Sequence, residues 1–329
     1  MFGIEILGTG SYGPDLTVTN DDMAKIVETN DEWITTRTGI RTRRLTDSES
    51  AWAMGAKAAE RAIEAAGIDA SEIGLVIGTT VTGDFFTPSM ACLIQDAVKA
   101  VNAAAFDLNA ACSGFVYGVD TARRFLQTDD DLKYVLLVST EVLSRFIDYT
   151  DRSTCVLFGD GAAAVVLGRS EKLYSSYLGS DGGGGKFLYA KHLFAKHPFT
   201  EHDTDYGEHF TQNNAFLYQD GKEVYKFATK ALPTAARKAA EKIGLDLNSV
   251  DKFIPHQANI RIIETAAKSI GVSMDKFIIN IDSHGNTSSA SIPIALDEAV
   301  REGKIARGDK LCFVGFGAGL TFGSVICEY

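Results

Sequence analysis

A weak internal duplication constrains this chain more than any single residue in it. One segment reads Ala58-Ala59-Glu60-Arg61-Ala62-Ile63-Glu64-Ala65-Ala66-Gly67 and continues through Glu72-Ile73-Gly74-Leu75-Val76-Ile77. A second reads Ala235-Ala236-Arg237-Lys238-Ala239-Ala240-Glu241-Lys242-Ile243-Gly244 and continues through Ser249-Val250-Asp251-Lys252-Phe253-Ile254. Gly67 falls on Gly244, an offset of 177 residues (244 minus 67). Each copy reads as an amphipathic helix, a glycine cap, a short polar link and a buried strand. The order of motifs continues downstream. A strand, turn and helix around Cys112 has a counterpart between Ile278 and Leu296, and Phe158-Gly159-Asp160-Gly161 has one in Phe316-Gly317-Ala318-Gly319.

Two similar α/β halves are therefore expected, residues 1–172 and 173–329. Helices alternating with apolar strands imply mixed, mostly parallel sheets packed in layers with helices. Sites in such folds form where the carboxyl ends of strands meet. Halves related by a pseudo-twofold axis would bring residues from distant motifs to one place.

Cys112 is the first candidate for that place. It follows Asp107-Leu108-Asn109-Ala110-Ala111 and precedes Ser113-Gly114-Phe115. Val101 to Leu108 reads as a buried strand, and Phe115, Val116, Val119, Ala122 and Phe125 recur at helical spacing. Cys112 thus sits at a strand-to-helix turn. Small neighbours permit a tight turn, and free amides near a helix N-terminus favour a thiolate or an oxyanion. Alone, such a cysteine is as readily an inert core residue. Two later segments weigh against that: Pro255-His256-Gln257-Ala258-Asn259 and His284-Gly285-Asn286-Thr287-Ser288-Ser289. Thiol, imidazole and carboxamide together form a set suited to acyl-thioester chemistry, although a single histidine or a Gly-Asn-Thr turn is commonly structural.

Bulk properties narrow the class. At 329 residues and 45% hydrophobic content the chain can bury a large core, and roughly two domains are expected. A net charge of −11 makes nucleic acid a poor partner. No apolar run approaches the roughly 20 residues of a membrane span. Met1-Phe2-Gly3-Ile4-Glu5-Ile6 reads as a strand, not a secretory signal. Five cysteines (Cys92, Cys112, Cys155, Cys312, Cys327) without paired spacing suit a reducing, cytoplasmic setting, and no cysteine–histidine spacing suggests zinc.

In order, Gly8-Thr9-Gly10-Ser11-Tyr12, Asn30 to Ile40, the Cys112 motif, Phe158 to Gly161, the His256 and Asn286 motifs and Gly315 to Gly319 resemble the beta-ketoacyl-acyl-carrier-protein synthase III family. This family belongs to the thiolase-like condensing enzymes, and the resemblance spans nearly the whole chain. It implies the duplicated thiolase-like fold and a decarboxylative Claisen condensation without a cofactor. Cys112 would take an acyl group from coenzyme A. Malonyl-acyl-carrier protein would then lose carbon dioxide, and its enolate would attack the acyl-cysteine. His256 and Asn286 would hydrogen-bond the malonyl thioester oxygen, and the amides of Cys112 and Ala318 would form the oxyanion hole. The family often has glycine at the Ala318 position. Thiolases carry a second cysteine near this loop, and none stands here, which argues against thiolase activity.

By the same resemblance Trp33, Arg37 and Arg152 match positions that grip coenzyme A, through stacking and phosphate pairing. Otherwise Trp33 would be core and the arginines surface ion pairs. Lys226, Arg261 and Lys268 match basic positions that dock the acidic carrier protein, or they simply line a solvated face. Thr87, next to Phe86, stands where acetyl-preferring members carry phenylalanine donated by the neighbouring subunit. The smaller threonine implies a medium or long primer, unless Phe86 fills the space. Gly182 to Asn214 is longer than usual by about a dozen residues and holds His192, His197, His202 and His209. A flap near the substrate entrance or dimer surface suits it better than a metal site, since no i, i+4 histidine pair occurs there. A homodimer is expected. Two other functions stay open: a specialised paralogue that condenses or transfers acyl groups in secondary metabolism, and a non-catalytic acyl-CoA-binding partner, which would not need all three polar groups.

Overall fold

The computed structural model describes residues 3–193, 198–199, 204–212 and 214–329. His197 and His202 lie outside them. The first sheet has five strands in the spatial order Gly3–Tyr12, Asp160–Ser170, Tyr134–Val142, Ile73–Thr79 and Ala104–Leu108. The second has four: Tyr174–Ser180, Thr321–Glu328, Lys310–Gly317 and Lys252–Pro255. Read in this order, both sheets begin with two antiparallel pairings and continue with a parallel one. The fifth strand of the first sheet extends the parallel run, and a single parallel bridge between Phe253 and Phe277 marks the corresponding edge of the second. The two sheets thus share one topology.

Strand patterning explains the layers. Val135 and Leu137 point into the space between the sheets, and Leu136 and Val138 point out. Both faces are covered, so the strand is apolar throughout. Outside the first sheet lies the helix Ala51–Ala66, whose alanines and Met54 pack on Val76 and Val138. The helices Gly221–Glu241 and Ile260–Ile270 cover the second. Between the sheets run Gly114–Thr128 and Ser291–Arg301, and their Phe115, Val119, Ile292 and Leu296 share one core with strands of both sheets. Phe115 meets Phe313 edge-on at 5.4 Å, a pair worth about 0.5–1.5 kcal/mol beyond area burial. Gly67 (φ 67°) and Gly244 (φ 63°) both adopt the left-handed backbone expected after the two outer helices.

One strand departs from expectation. Ala104–Leu108 is not buried: it forms the open edge of its sheet, with Val101 67% and Phe125 43% exposed beside it. Its apolar composition signals a covered strand, but nothing among the described residues covers this side.

Candidate active site

The 177-residue offset reappears at the centre of the molecule. A short 3-10 turn, Ala111–Ser113, leads into the helix Gly114–Thr128, and its counterpart Ser288–Ala290 leads into Ser291–Arg301. Ala111 (φ 47°) and Ser288 (φ 50°) both take the left-handed conformation that side chains disfavour by about 1–2 kcal/mol. An asparagine two residues earlier braces each: Ala111 N–H donates to Asn109 Oδ1 at 3.2 Å, and Ser288 N–H to Asn286 Oδ1 at 2.9 Å. By this correspondence Ser289 is the counterpart of Cys112, and Asn109 that of Asn286.

The Cys112 turn is held from the second half. Thr321 Oγ1 donates to Ala110 O (2.9 Å) and lies 2.7 Å from Ser113 Oγ. Gly317 packs so closely that a Cβ there would lie 2.6 Å from Cys112 N. Burial pushes the Cys112 thiol up to about 12, opposed by hydrogen bonds from Ser288 and its own backbone and reinforced by the charge of Glu141. Burial thus opposes the thiolate that free amides near a helix N-terminus favour.

His256 follows the strand Lys252–Pro255, anchored by its N–H to Val314 O at 2.8 Å. Its imidazole is buried and pushed down to about 3, so it is neutral. Gln257 N–H donates to Ser291 Oγ (3.3 Å), and this hydroxyl lies 2.7 Å from His256 Nδ1. With the serine proton given to Nδ1, the imidazole keeps its proton on Nε2 and can donate from there. Asn286 is held by backbone bonds to Leu157 and Gly159. Because its Oδ1 already accepts from Ser288, its NH2 group is the free donor.

Cys112, His256 and Asn286 line a single chamber of about 1160 Å³, with Ala318 and Phe316 on its wall. A thiol and two neutral donors around one space can hold a thioester and stabilise negative charge on its oxygen without a proton being abstracted from carbon. Trp33 and Arg37 also line the chamber. Two guanidinium groups, those of Arg37 and Arg152, each lie over the indole, 4.8 Å from the ring centroid. Arg261 lines the chamber too and donates from Nε to Thr36 O at 3.2 Å, which sets it beside this cluster. Lys226 and Lys268 are exposed outside the chamber, on the packed helices Gly221–Glu241 and Ile260–Ile270. Thr87 and Phe86 are exposed and do not line the chamber of their own chain, while the Phe86 ring meets His192 tilted by 56° at 4.9 Å. From the long segment, Leu188, Tyr189, Lys191, His192 and Phe210 reach the chamber wall. Among the described residues no group of three or more histidine, cysteine or acidic side chains could hold a metal ion, and no helix is long and apolar enough to cross a membrane.

Sequence reasoning missed Glu141, Ser288, Ser291 and Gly317. Glu141 is the one charge in the apolar run Tyr134–Val142, and Ser288 and Gly317 stand inside the Asn286 and Phe316 motifs without a role read for them.

The chain is similar in sequence and fold to known proteins. A family model described as "3-Oxoacyl-[acyl-carrier-protein (ACP)] synthase III" matches residues 106–182, and its C-terminal companion matches 240–329. A beta-ketoacyl-acyl-carrier-protein synthase III of Clostridium acetobutylicum is 48% identical over 331 residues, covering 100% of this chain and 99% of the relative. The crystal structure of 3-oxoacyl-acyl-carrier-protein synthase III from Aquifex aeolicus superposes with a TM-score of 0.91 at 41% identity, over 99% of this chain and 100% of that one. The priming beta-ketosynthase of the R1128 polyketide pathway superposes at 0.88 with 36% identity, over 99% of this chain and 96% of that one. The chain therefore belongs to the beta-ketoacyl-acyl-carrier-protein synthase III family of thiolase-like condensing enzymes.

Proposed function

We propose that this protein is the initiating acyltransferase of fatty-acid synthesis, condensing an acyl-CoA primer with malonyl-acyl-carrier protein. The observation that carries the reading is the convergence of Cys112, His256 and Asn286, from three separate motifs, on one chamber. Cys112 attacks the acyl-CoA thioester and coenzyme A leaves. The acyl oxygen is held by the amides of Cys112 and Ala318. Malonyl-carrier protein then loses carbon dioxide, while His256 Nε2–H and the Asn286 NH2 group hold the enolate oxygen. Carbon dioxide loss supplies the carbanion, so neither donor need act as a base, which suits an imidazole held neutral by burial. No cofactor enters this scheme.

Trp33, Arg37 and Arg152 grip coenzyme A at the mouth of the chamber. Lys226 and Lys268 steer the acidic carrier protein across the paired helices, and Arg261 serves both partners. Residues 1–172 and 173–329 form the two halves. The open edge strand Ala104–Leu108, with exposed Val101 and Phe125, supports a homodimer joined strand to strand, since an uncovered apolar edge invites pairing. Thr87 and Phe86 then complete the partner's acyl pocket, and threonine leaves room for a medium or long primer. A cytoplasmic setting follows from the substrates.

The likeness to the R1128 priming ketosynthase favours a second reading, a specialised paralogue that uses the same three groups on another carrier. Mass spectrometry of the carrier protein after incubation with malonyl-carrier protein and acetyl-, octanoyl- or lauroyl-CoA tests both. A beta-ketoacyl carrier product supports the synthase, and its absence with every primer refutes it. Acetyl as the best primer refutes the deep pocket.

A further inference from the structure

The enolate needs two donors at a fixed spacing, yet His256 and Asn286 come from different segments. Whatever joins those segments sets the spacing. Next to His256 the Gln257 side chain is buried, at 1% exposure. Its Nε2 donates to Pro255 O (2.7 Å) and Ile278 O (3.1 Å), and its Oε1 accepts from Asn280 N–H (3.2 Å). The carboxamide thus ties the end of the His256 strand to the stretch that leads to Asn286. The tie continues through Glu298 on the helix Ser291–Arg301. Asn280 Nδ2 donates to Glu298 Oε2 (2.8 Å), and Glu298 Oε1 lies 2.6 Å from His284 Nε2. One carboxyl group therefore holds both the N-cap and the last residue of the short helix Ile281–His284. Burial raises the Glu298 carboxyl, but His284, Asn280 and Arg44 together hold it below its ordinary range. An ionised carboxylate only accepts, so His284 donates from Nε2. A single residue separates His284 from Asn286. Gly285 takes φ 66° and ψ −158°, a conformation essentially confined to glycine, and a Cβ there would lie 3.0 Å from Leu157 O.

We propose that Gln257, Asn280, Glu298 and His284 form a hydrogen-bonded brace that sets the gap between the two enolate donors, an inference that rests on the proposed condensation. Gln257 fixes the brace to the His256 side, and the contact between Glu298 and His284 fixes it to the Asn286 side. None of the four lines the chamber, so they are positioning residues that never meet the reacting atoms. Two donors aimed at one oxygen tolerate a displacement of only about 0.5 Å, and a short chain of bonds outside the chamber supplies that precision. Condensation feels the brace, because the donors act on the enolate. Loading does not, because the Cys112 turn is held by other contacts, those of Thr321 and Gly317.

E298A cuts the brace at its centre. The Glu298 side chain is 35% exposed, so water can take up the Asn280 and His284 donors left behind. Melting curves check that the variant folds, and H284A, alone and with N286A, carries the test if it does not. Loading from octanoyl-CoA is followed by quenched intact-mass analysis in wild type, E298A, N286A and the double variant. Discharge of preloaded enzyme by malonyl-carrier protein is timed separately. The brace predicts condensation slowed about tenfold in E298A, short of the roughly 100-fold expected from removing the Asn286 donor itself, and loading changed by less than about twofold. In the N286A background E298A should change condensation by less than about threefold, because the donor that the brace places has gone. A side chain with a merely structural role would slow condensation by the same factor in both backgrounds, and that result overturns the proposal. E298A condensing at the wild-type rate, or slowing both half-reactions equally, overturns it as well. Wild type that loads but yields no beta-ketoacyl product overturns the proposed condensation, and the brace falls with it.

Discussion

Gly317 offers the most exact perturbation of the nucleophile. Its φ is not left-handed, so glycine stands there for space alone. A Cβ at this position would lie 2.6 Å from Cys112 N, 3.1 Å from Ala111 Cβ and 3.2 Å from Cys112 Cα. Comfortable contact needs about 3.5 Å, so G317A must drive the strand and the Cys112 turn apart by nearly an ångström. All three contacts lie close to the chain's own trace, and no flexible side-chain end can swing aside. Overpacking of this kind costs about 1–3 kcal/mol, or a fall in melting temperature of roughly 1–5 °C. A misplacement of about 1 Å at a reacting group costs on the order of 100-fold in rate. The expected result is therefore a folded enzyme, slightly less stable, whose single-turnover loading is slowed about 100-fold. Wild-type loading and an unchanged melting temperature would refute the argument that this strand sets the position of Cys112.

Three further outcomes follow from the same geometry. N286A removes the free NH2 donor, so condensation should fall on the order of 100-fold while loading persists, as measured by the two half-reactions. His256 is neutral in the folded protein but has an ordinary pKa of 6.5 when unfolded, so the unfolded chain binds the extra proton. Stability is whole above about pH 6.5 and is lost as pH falls toward 3; between about pH 6 and 5 wild type should lose about 1 kcal/mol more than H256Q in denaturant titrations. R261A should raise the KM for both acyl-CoA and malonyl-carrier protein, and K268A only that for the carrier, because only Arg261 lines the chamber.

The duplication, the layered α/β class and the three polar groups were legible in the sequence because each depends on local pattern. Periodicity reveals a helix, Gly67 caps the first outer helix while Gly244 takes a left-handed turn just past Lys242, the cap of the second, and a cysteine in a run of small residues implies a turn. What was not legible depends on contacts across the chain. Val101 to Leu108 has the composition of a covered strand, and composition cannot say whether the cover comes from this chain or another. Glu141 stands out as a charge in an apolar strand, but its partners Ser288 and Ser289 lie 147 and 148 residues away. The family resemblance groups Arg261 with Lys268, yet its bond to Thr36 draws it toward Trp33 and Arg37. Burial, which opposes the thiolate favoured near a helix N-terminus, is revealed only by packing.

The central claim is that Cys112 carries the acyl group. Peptide mapping by mass spectrometry of wild type and C112S, each incubated with octanoyl-CoA, tests it most directly. The account predicts an octanoyl thioester on the peptide containing Cys112 in wild type, discharged by malonyl-carrier protein, and no adduct in C112S. An adduct on Cys92, Cys155, Cys312 or Cys327, or one that survives in C112S, would contradict it.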